Sequence, residues 1–286
     1  MSIPLCDSLS FGINNVFAST NGVLLFLSKG RLIAQRSAEE HIEIKGRASF
    51  TSFSASELPG SSDILVALCS AEDFTVYIIQ DMMQSVIYEN YQRTLAVSVY
   101  GQHILSYDGE TAQIFEYSSL TLACEPMCTL PLGPTVTCIT LNENKIGFAT
   151  QTQMRIVDFE NNTLLEHNLP MKNDDVDTSV RSAFLVACFS GDALVVGGDD
   201  GVICILENGG NFSTSRTHFG LISALVPTTG NEFVIGSVDG RVLKTACSLR
   251  QQDLQIFEHH GCVGVCYING ICYAALFDHK ELSPCF

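Results

Sequence analysis

Short apolar runs separated by polar turns recur along the whole chain. Their residues are mostly β-branched or bulky, and the runs are too short for helices, so they predict β-strands. The most regular set is predicted at residues 23–27, 64–69, 146–149, 194–196, 233–235 and 271–276. A second set, in which apolar and polar positions alternate, is predicted at residues 74–79, 113–117, 154–159 and 202–206.

A tight turn joins the two sets of strands. Its strongest form is Gly-Ser-Val-Asp-Gly, from Gly236 to Gly240. Other forms are found at Lys29-Gly30, Glu72-Asp73, Asp108-Gly109, Thr152, Asp199-Asp200-Gly201 and Asp278. The steps between these turns range from 36 to 48 residues. A period of about 42 residues is typical of a propeller with four strands in each blade. We therefore predict an all-β, seven-bladed β-propeller of four-stranded antiparallel blades, forming a single domain over residues 1–286.

The last repeat is too short to complete its own blade. After Asp278 only residues 279–286 remain, and Pro284 would interrupt a central strand because proline has no backbone N–H to donate. Residues 2–6 precede the first repeat and have no other strand to pair with. We therefore expect this N-terminal segment to close the ring beside the last blade.

The composition favours a protein with many buried strands, and the charge makes it acidic. Hydrophobic residues make up 46% of the 286 positions and charged residues 16%, which suits short strands buried on both faces. Lys and Arg total 15 against 31 Asp and Glu, for a net charge of −16. Because the few cations are scattered, direct binding to nucleic acid or to an anionic membrane is not expected.

The twelve cysteines are irregularly spaced, and most lie within apolar runs, which indicates burial. Those in apolar runs include Cys69, Cys138, Cys188, Cys204 and Cys272. Two close pairs, Cys124/Cys128 and Cys262/Cys266, lack the two-pair arrangement of a structural zinc site, although His259 and His260 precede the second pair. Packing is the favoured interpretation of both pairs, and no metal or other cofactor is predicted.

Signatures of catalysis are missing. The adjacent carboxylates Asp199 and Asp200 could serve as acid and base, but their place in a hairpin turn indicates a structural role. The positive φ of a tight turn accounts for Gly109, Gly201 and Gly240 without any ligand. Phosphate-binding loops, nucleophile elbows and zinc-protease motifs are absent from the sequence. We predict neither an enzyme nor a small-molecule substrate.

Two further features bear on partners and location. The polar segment 171–179 has no strand periodicity and indicates an inter-blade loop, which is either a partner contact or a tolerated insertion. The N-terminus lacks a basic start, and no apolar stretch approaches the roughly 20 residues of a membrane span. With many thiols and no export signal, the sequence predicts an intracellular protein, nuclear, nucleolar or cytoplasmic.

The chain resembles the WD40-repeat family in the region that contains Thr217-His218, Ile222 and the turn from Gly236 to Gly240. In that family, histidine, serine and aspartate at such positions form a buried hydrogen-bond network, so the resemblance implies that His218 is a core residue and not a base. The chain has no Trp. The family's Trp-Asp ending is replaced by Phe115-Glu116, Val157-Asp158 and Leu206-Glu207.

Two finer resemblances imply different functions. Residues 208–218, Ser223 to Pro227, and His259 or His260 with Gly261 are similar to nucleolar WD-repeat proteins of the WD-repeat protein 55 type, which implies a scaffold for partner proteins or peptides in ribosome biogenesis and rRNA processing.

Residues 65–68, 95–99 and 114–117 are similar to the phosphoinositide-binding propellers of autophagy, which use a Phe-Arg-Arg-Gly motif where this chain has only Arg216. The first function is our prediction, lipid-dependent membrane recruitment is the alternative, and an enzyme with a site built from propeller loops is the third.

Overall fold

The computed structural model describes residues 2–9, 16–46, 48–169, 183–228, 230–249, 252–257, 260–268 and 270–286. These residues form 28 β-strands and no helix. The strands make seven four-stranded antiparallel sheets, each one a blade of a β-propeller. The predicted all-β, seven-bladed fold is therefore confirmed. The predicted loop at 171–179 lies outside the described residues.

The strand bounds follow the chain blade by blade. Blade one contains β2 (Val16–Ala18), β3 (Leu24–Ser28), β4 (Arg31–Gln35) and β5 (His41–Ile44). Blade two contains β6 (Ser52–Glu57), β7 (Ile64–Cys69), β8 (Phe74–Gln80) and β9 (Met83–Asn90). Blade three contains β10 (Ala96–Tyr100), β11 (His103–Tyr107), β12 (Thr111–Ser118) and β13 (Ala123–Pro131). Blade four contains β14 (Val136–Asn142), β15 (Lys145–Thr150), β16 (Gln153–Asp158) and β17 (Thr163–Asn168).

The remaining blades have the same pattern, except that the fourth strand of blade seven comes from the N-terminus. Blade five contains β18 (Phe184–Ser190), β19 (Ala193–Gly198), β20 (Val202–Leu206) and β21 (Phe212–Arg216). Blade six contains β22 (Ile222–Pro227), β23 (Glu232–Ser237), β24 (Arg241–Ala246) and β25 (Gln252–Ile256). Blade seven contains β26 (Cys262–Ile268), β27 (Ile271–Leu276), β28 (Glu281–Pro284) and the N-terminal strand β1 (Ile3–Pro4). The predicted strands lie within two residues of these bounds.

The predicted tight turns all connect the second strand of a blade to the third. Since neighbouring strands are antiparallel, these turns lie on the same side of the ring as the connections that lead from one blade to the next. We call this side the tight-turn face. The opposite face carries the turns between first and second strands and between third and fourth strands.

The hydrophobic core consists of seven clusters, one between each pair of neighbouring blades. A blade therefore buries both of its faces, and β7 is buried along its whole length. Phe26 of blade one packs with Val263 of blade seven, so the series of clusters is closed. Apolar packing between the sheets holds the blades together. Each Å² of apolar surface removed from water contributes about 25 cal/mol.

Serine hydroxyls link the inner strands. The first strand of each blade has one edge without a partner strand, and its N–H groups need acceptors. The amides of Val99 and Gly101 donate to the hydroxyls of Ser54 and Ser56, at 2.9 and 3.0 Å. The amide of Leu141 donates to Ser98 Oγ at 3.0 Å. Blades two to four are therefore joined by hydrogen bonds as well as by apolar packing.

The N-terminal strand closes the ring as expected. Ile3 pairs with Leu282, and the amide of Leu5 donates to the carbonyl of Lys280 at 2.8 Å. Gln35 of blade one is 1% exposed and fixes the same segment, because its amide donates to the carbonyl of Pro4 and its Oε1 accepts from the amide of Cys6, both at 2.9 Å. Pro284 does not interrupt β28, since it lies at the end of that strand.

Candidate protein-interaction surface

The tight turns contact the connections between blades. Gly201 has a φ of +81°, and a Cβ there would lie 2.1 Å from the carbonyl oxygen of His218. Gly240 has the same φ, and a Cβ would lie 2.4 Å from the carbonyl oxygen of Phe257. Glycine is therefore required both for its φ and for close backbone contact. The structural interpretation of these glycines agrees with the geometry.

The neighbouring carboxylates Asp199 and Asp200 have local partners. Asp199 Oδ1 accepts from the amide of Ala183 at 3.1 Å. Asp200 Oδ1 accepts from the amide of Val202 at 3.2 Å, and its Oδ2 pairs with Arg216 Nη2 at 3.3 Å. Both carboxylates therefore hold the turn of blade five to neighbouring backbone and to Arg216.

His218 is a buried residue of the connection between blades five and six, with 1% of its surface exposed. Its Nδ1 lies 2.8 Å from Thr217 Oγ1, whereas the buried Nε2 has no hydrogen bond of good geometry to a described residue. Burial lowers the pKa of His218 to about 4; the charge of Arg241 adds to this effect, while Asp239 and the backbone of Arg241 oppose it. His218 is therefore a neutral core residue at pH 7.

Blade six keeps the predicted histidine, serine and aspartate close together, but it connects them through the backbone. Ser237 Oγ donates to the carbonyl of Gly220 at 3.3 Å. The carboxylate of Asp239 accepts from the amide of Phe219 at 2.8 Å and from that of Arg241 at 2.9 Å. The result is a loop and a turn fixed against each other on the tight-turn face.

Phe219 is exposed at the tip of this fixed loop. Its side chain is 77% exposed, and the guanidinium carbon of Arg241 lies 4.5 Å from its ring centroid. The hydrogen bond from its amide to Asp239 holds the backbone in place. Phenylalanine and arginine are enriched in protein interfaces, and a side chain held in position before binding loses less entropy when a partner arrives.

A row of close contacts extends this surface to blade seven. A Cβ at Gly220 would lie 3.1 Å from Val238 Cγ2, and one at Gly261 would lie 3.2 Å from the carbonyl oxygen of Val238. The amide of Phe277, whose side chain is 51% exposed, donates to the carbonyl of Gly261 at 2.9 Å. We call Phe219, Val238, Arg241 and Phe277 the Phe219 surface.

Two histidines lie beside Phe277. His260 Nδ1 and His279 Nε2 are 3.1 Å apart, and their rings meet edge to face at 4.4 Å. His259 lies outside the described residues. In the described part of the chain, no group of three or more His, Cys, Asp or Glu side chains is arranged to hold a metal ion.

The cysteines of the two close pairs belong to strands. Cys262 and Cys266 lie in β26 and are buried, and burial raises the pKa of Cys262 to about 12. Cys124 and Cys128 lie in β13, where burial raises the pKa of Cys124 to about 12. Burial thus keeps these thiols protonated at pH 7, as is typical of cysteines that pack in a core.

Three observations bear on the alternative functions. Arg216 is paired with Asp200, and residues 211–220 contain no second Arg or Lys to complete a phosphate clamp. A recess between blades two and three, lined by Asn90, Thr94 and Asp108, has a volume of about 10 Å³, which is room for one water molecule. None of the described elements is a helix long and apolar enough to cross a membrane.

Comparison with known proteins supports the fold. No protein-family model matches the sequence, and no curated protein is similar to it. The structure is similar to 1293 chains of solved structures. One is a chain in the crystal structure of the mitotic checkpoint complex, with a TM-score of 0.72 and 12% identity over 99% of this chain and 90% of that one. At this identity the likeness extends to the fold, and with so many matches the fold does not select a function.

Proposed function

We propose that the chain is a non-enzymatic scaffold of the WD40-repeat type, acting as one domain over residues 1–286 in a larger intracellular assembly. The Phe219 surface is the place where it binds a segment of a partner protein. The observation that carries this proposal is an aromatic ring, 77% exposed, on a loop that Asp239 and Arg241 hold in one position. The ring remains exposed with both contacts in place, so they do not serve to bury Phe219 in the propeller core.

Ribosome biogenesis is the proposed context. Its support is the resemblance of the C-terminal repeats to nucleolar WD-repeat proteins, in particular the segment from Ser223 to Pro227 and the turn from Gly236 to Gly240. Proteins or peptides are the proposed partners, and the nucleus or nucleolus is the proposed location. The net charge of −16 favours contacts with proteins over contacts with the RNA itself.

The test compares Phe219→Ala with wild type by affinity purification and mass spectrometry. Truncation of an aromatic anchor costs about 2 kcal/mol or more of binding, so we expect at least one major partner to fall about thirtyfold. The matched control is Leu254→Ala, which removes another exposed apolar side chain of blade six. Thermal melting of both variants should match wild type, since exposed side chains contribute little to stability.

Two outcomes would change the proposal in different ways. An identical set of partners for Phe219→Ala and wild type would remove the Phe219 surface from the binding site. A clear loss of partners that include no nucleolar or pre-ribosomal factors would support the surface and reject the ribosomal context.

A further inference from the structure

The acidic residues are concentrated in two blades. The segment Ser52 to Pro131, which forms blades two and three, has ten Asp and Glu and a single cation, Arg93. Arg93 lies in the connection between the two blades, on the tight-turn face. On the opposite face, the carboxylates of these two blades therefore have no Lys or Arg from the same blades. Asp81 of blade two pairs with Arg36 of blade one instead, at 3.1 Å.

Like charges are directly opposed at the edge of this face in blade three. Glu116 of β12 pairs in register with Glu125 of β13. Directly opposed like charges destabilise a sheet. Glu116 accepts a hydrogen bond from the neutral side chain of Gln102, and neither carboxylate forms an ion pair with a described residue. The pair presents a concentrated negative charge to solvent.

The same row continues to the inner strand of the blade. Glu116 is in register with His103 of β11, and His103 is in register with Tyr100 of β10. Since residues in register share one face of a sheet, the four side chains form a line across the blade. In the neighbouring blade four, the guanidinium of Arg155 is paired with Glu166 of the same blade at 3.1 Å.

Exposed apolar side chains adjoin the opposed carboxylates. Leu120 and Leu122 lie in the turn that joins β12 to β13, and they are 96% and 62% exposed. Tyr100, at the other end of the row, is 42% exposed. Single exposed apolar residues are common, but two in one turn beside the opposed carboxylates form a local apolar patch. Leu122 also has a φ of 52°, which is uncommon for a residue other than glycine.

We propose that Glu116, Leu120, Leu122 and Glu125, here called the blade-three patch, bind a segment of a partner protein in which Arg or Lys adjoins an apolar side chain. A guanidinium or ammonium group between Glu116 and Glu125 relieves their repulsion and forms charge-assisted hydrogen bonds. The neighbouring apolar side chain packs on Leu120 and Leu122. This surface lies on the face opposite the Phe219 surface, and its binding does not depend on that surface.

The probe is a fluorescein-labelled peptide of twelve residues, in which the triplet Arg-Leu-Ser occurs four times. A second peptide, with Ser in place of every Leu, measures the contribution of charge alone. Fluorescence anisotropy with the full chain at physiological salt gives the dissociation constants. We expect Glu116→Gln with Glu125→Gln to weaken binding of the first peptide about tenfold, the loss expected for a close charge pair.

The matched control removes the same charge from the same two blades on the other face. Glu72 and Glu110 are exposed residues of the tight turns, and their double change to Gln should alter affinity less than twofold. Leu120→Ser with Leu122→Ser should weaken binding of the Leu-containing peptide and leave the Ser peptide unchanged. Phe219→Ala should bind the probe like wild type, which separates this surface from the proposed function.

An equal loss of affinity in the two glutamate double variants would overturn the proposal, because binding would then follow net charge alone. Unchanged affinity after Glu116→Gln with Glu125→Gln would also overturn it. Thermal melting shows that these variants are folded, and the Gln pair should melt no lower than wild type since a repulsion is removed.

Discussion

The buried histidine of blade six should make stability depend on pH. In the folded chain the pKa of His218 is lowered to about 4, chiefly by burial, whereas an unfolded histidine has a pKa of about 6.5. The unfolded state therefore binds a proton at a higher pH than the folded state does. The stability that comes from burying a neutral ring is complete above the unfolded pKa and is lost as the pH falls toward the folded pKa.

The size of the effect follows from the shift. A decrease from 6.5 to about 4 corresponds to about 3 kcal/mol of unfolding free energy, lost mainly between pH 6.5 and pH 4. Below that interval both states bind the proton and the contribution of His218 is constant. The loss is large beside a typical total stability of about 5–15 kcal/mol.

The perturbation is His218→Asn, which keeps a polar group near Thr217 but cannot take up a proton. Unfolding free energies from urea denaturation, measured between pH 4 and pH 7.5, should fall about 3 kcal/mol less for this variant than for wild type. Carboxylates titrate in both proteins and cancel in the comparison. The control is His41→Asn, at an exposed position of β5, which checks that losing a histidine does not by itself change the profile.

Parallel profiles for wild type and His218→Asn across this range would refute the linkage between His218 and stability. Parallel profiles would mean that the ring binds a proton equally well in the folded and unfolded chains. A lower but parallel profile for the variant would show a packing contribution without the proposed linkage to pH.

Two other predictions concern the ring and its turns. Gln35→Ala removes two hydrogen bonds to the N-terminal segment, so it should lower the free energy of unfolding by about 2–4 kcal/mol and speed hydrogen exchange at the amide of Leu5. The exposed control Gln84→Ala should do neither. Unchanged exchange in Gln35→Ala would contradict a role of Gln35 in holding this segment. Gly201→Ala places a Cβ against a carbonyl oxygen and should lower the free energy of unfolding by about 3 kcal/mol or more. Gly209 has a φ of +97° with open space around it, so Gly209→Ala should lower it by about 1 kcal/mol in the same denaturation assay. Equal losses would show that φ alone, and not the close contact, determines the effect.

The sequence was sufficient to predict the repeat architecture because two local rules agree. Five of the seven tight turns contain a residue with positive φ, as at Gly240, and the strands beside them need apolar side chains on both faces. The unfinished last repeat and the spare segment at residues 2–6 then implied closure of the ring, which β1 confirms. The turns and strands are encoded within a few residues of the place where they act, whereas the closure follows from the number of strands in the last repeat.

Side-chain contacts between distant segments were beyond the sequence. Nothing around Gln35 indicates that its side chain holds residues some 30 positions earlier, because that contact exists only after the ring has closed. The exposure of Phe219 was also missed, since an aromatic residue beside a buried histidine is expected to be buried. The closeness of Glu116 to Glu125 depends on the register of β12 with β13, which includes a bulge between Ile114 and Phe115 that no residue pattern announces.

The two proposed surfaces share a physical property that distinguishes them from the propeller core. In the core, each choice of residue serves the fold: Gly201 fits its turn, and Phe26 fills the space between two blades. Phe219 and the opposed pair Glu116 and Glu125 do not serve it, because an exposed ring adds little stability and facing carboxylates reduce it. Sequences depart from local rules mainly where function demands it. On a fold as widely used as this one, such departures are a better guide to binding surfaces than the architecture is, and the two proposed surfaces lie on opposite faces of the ring.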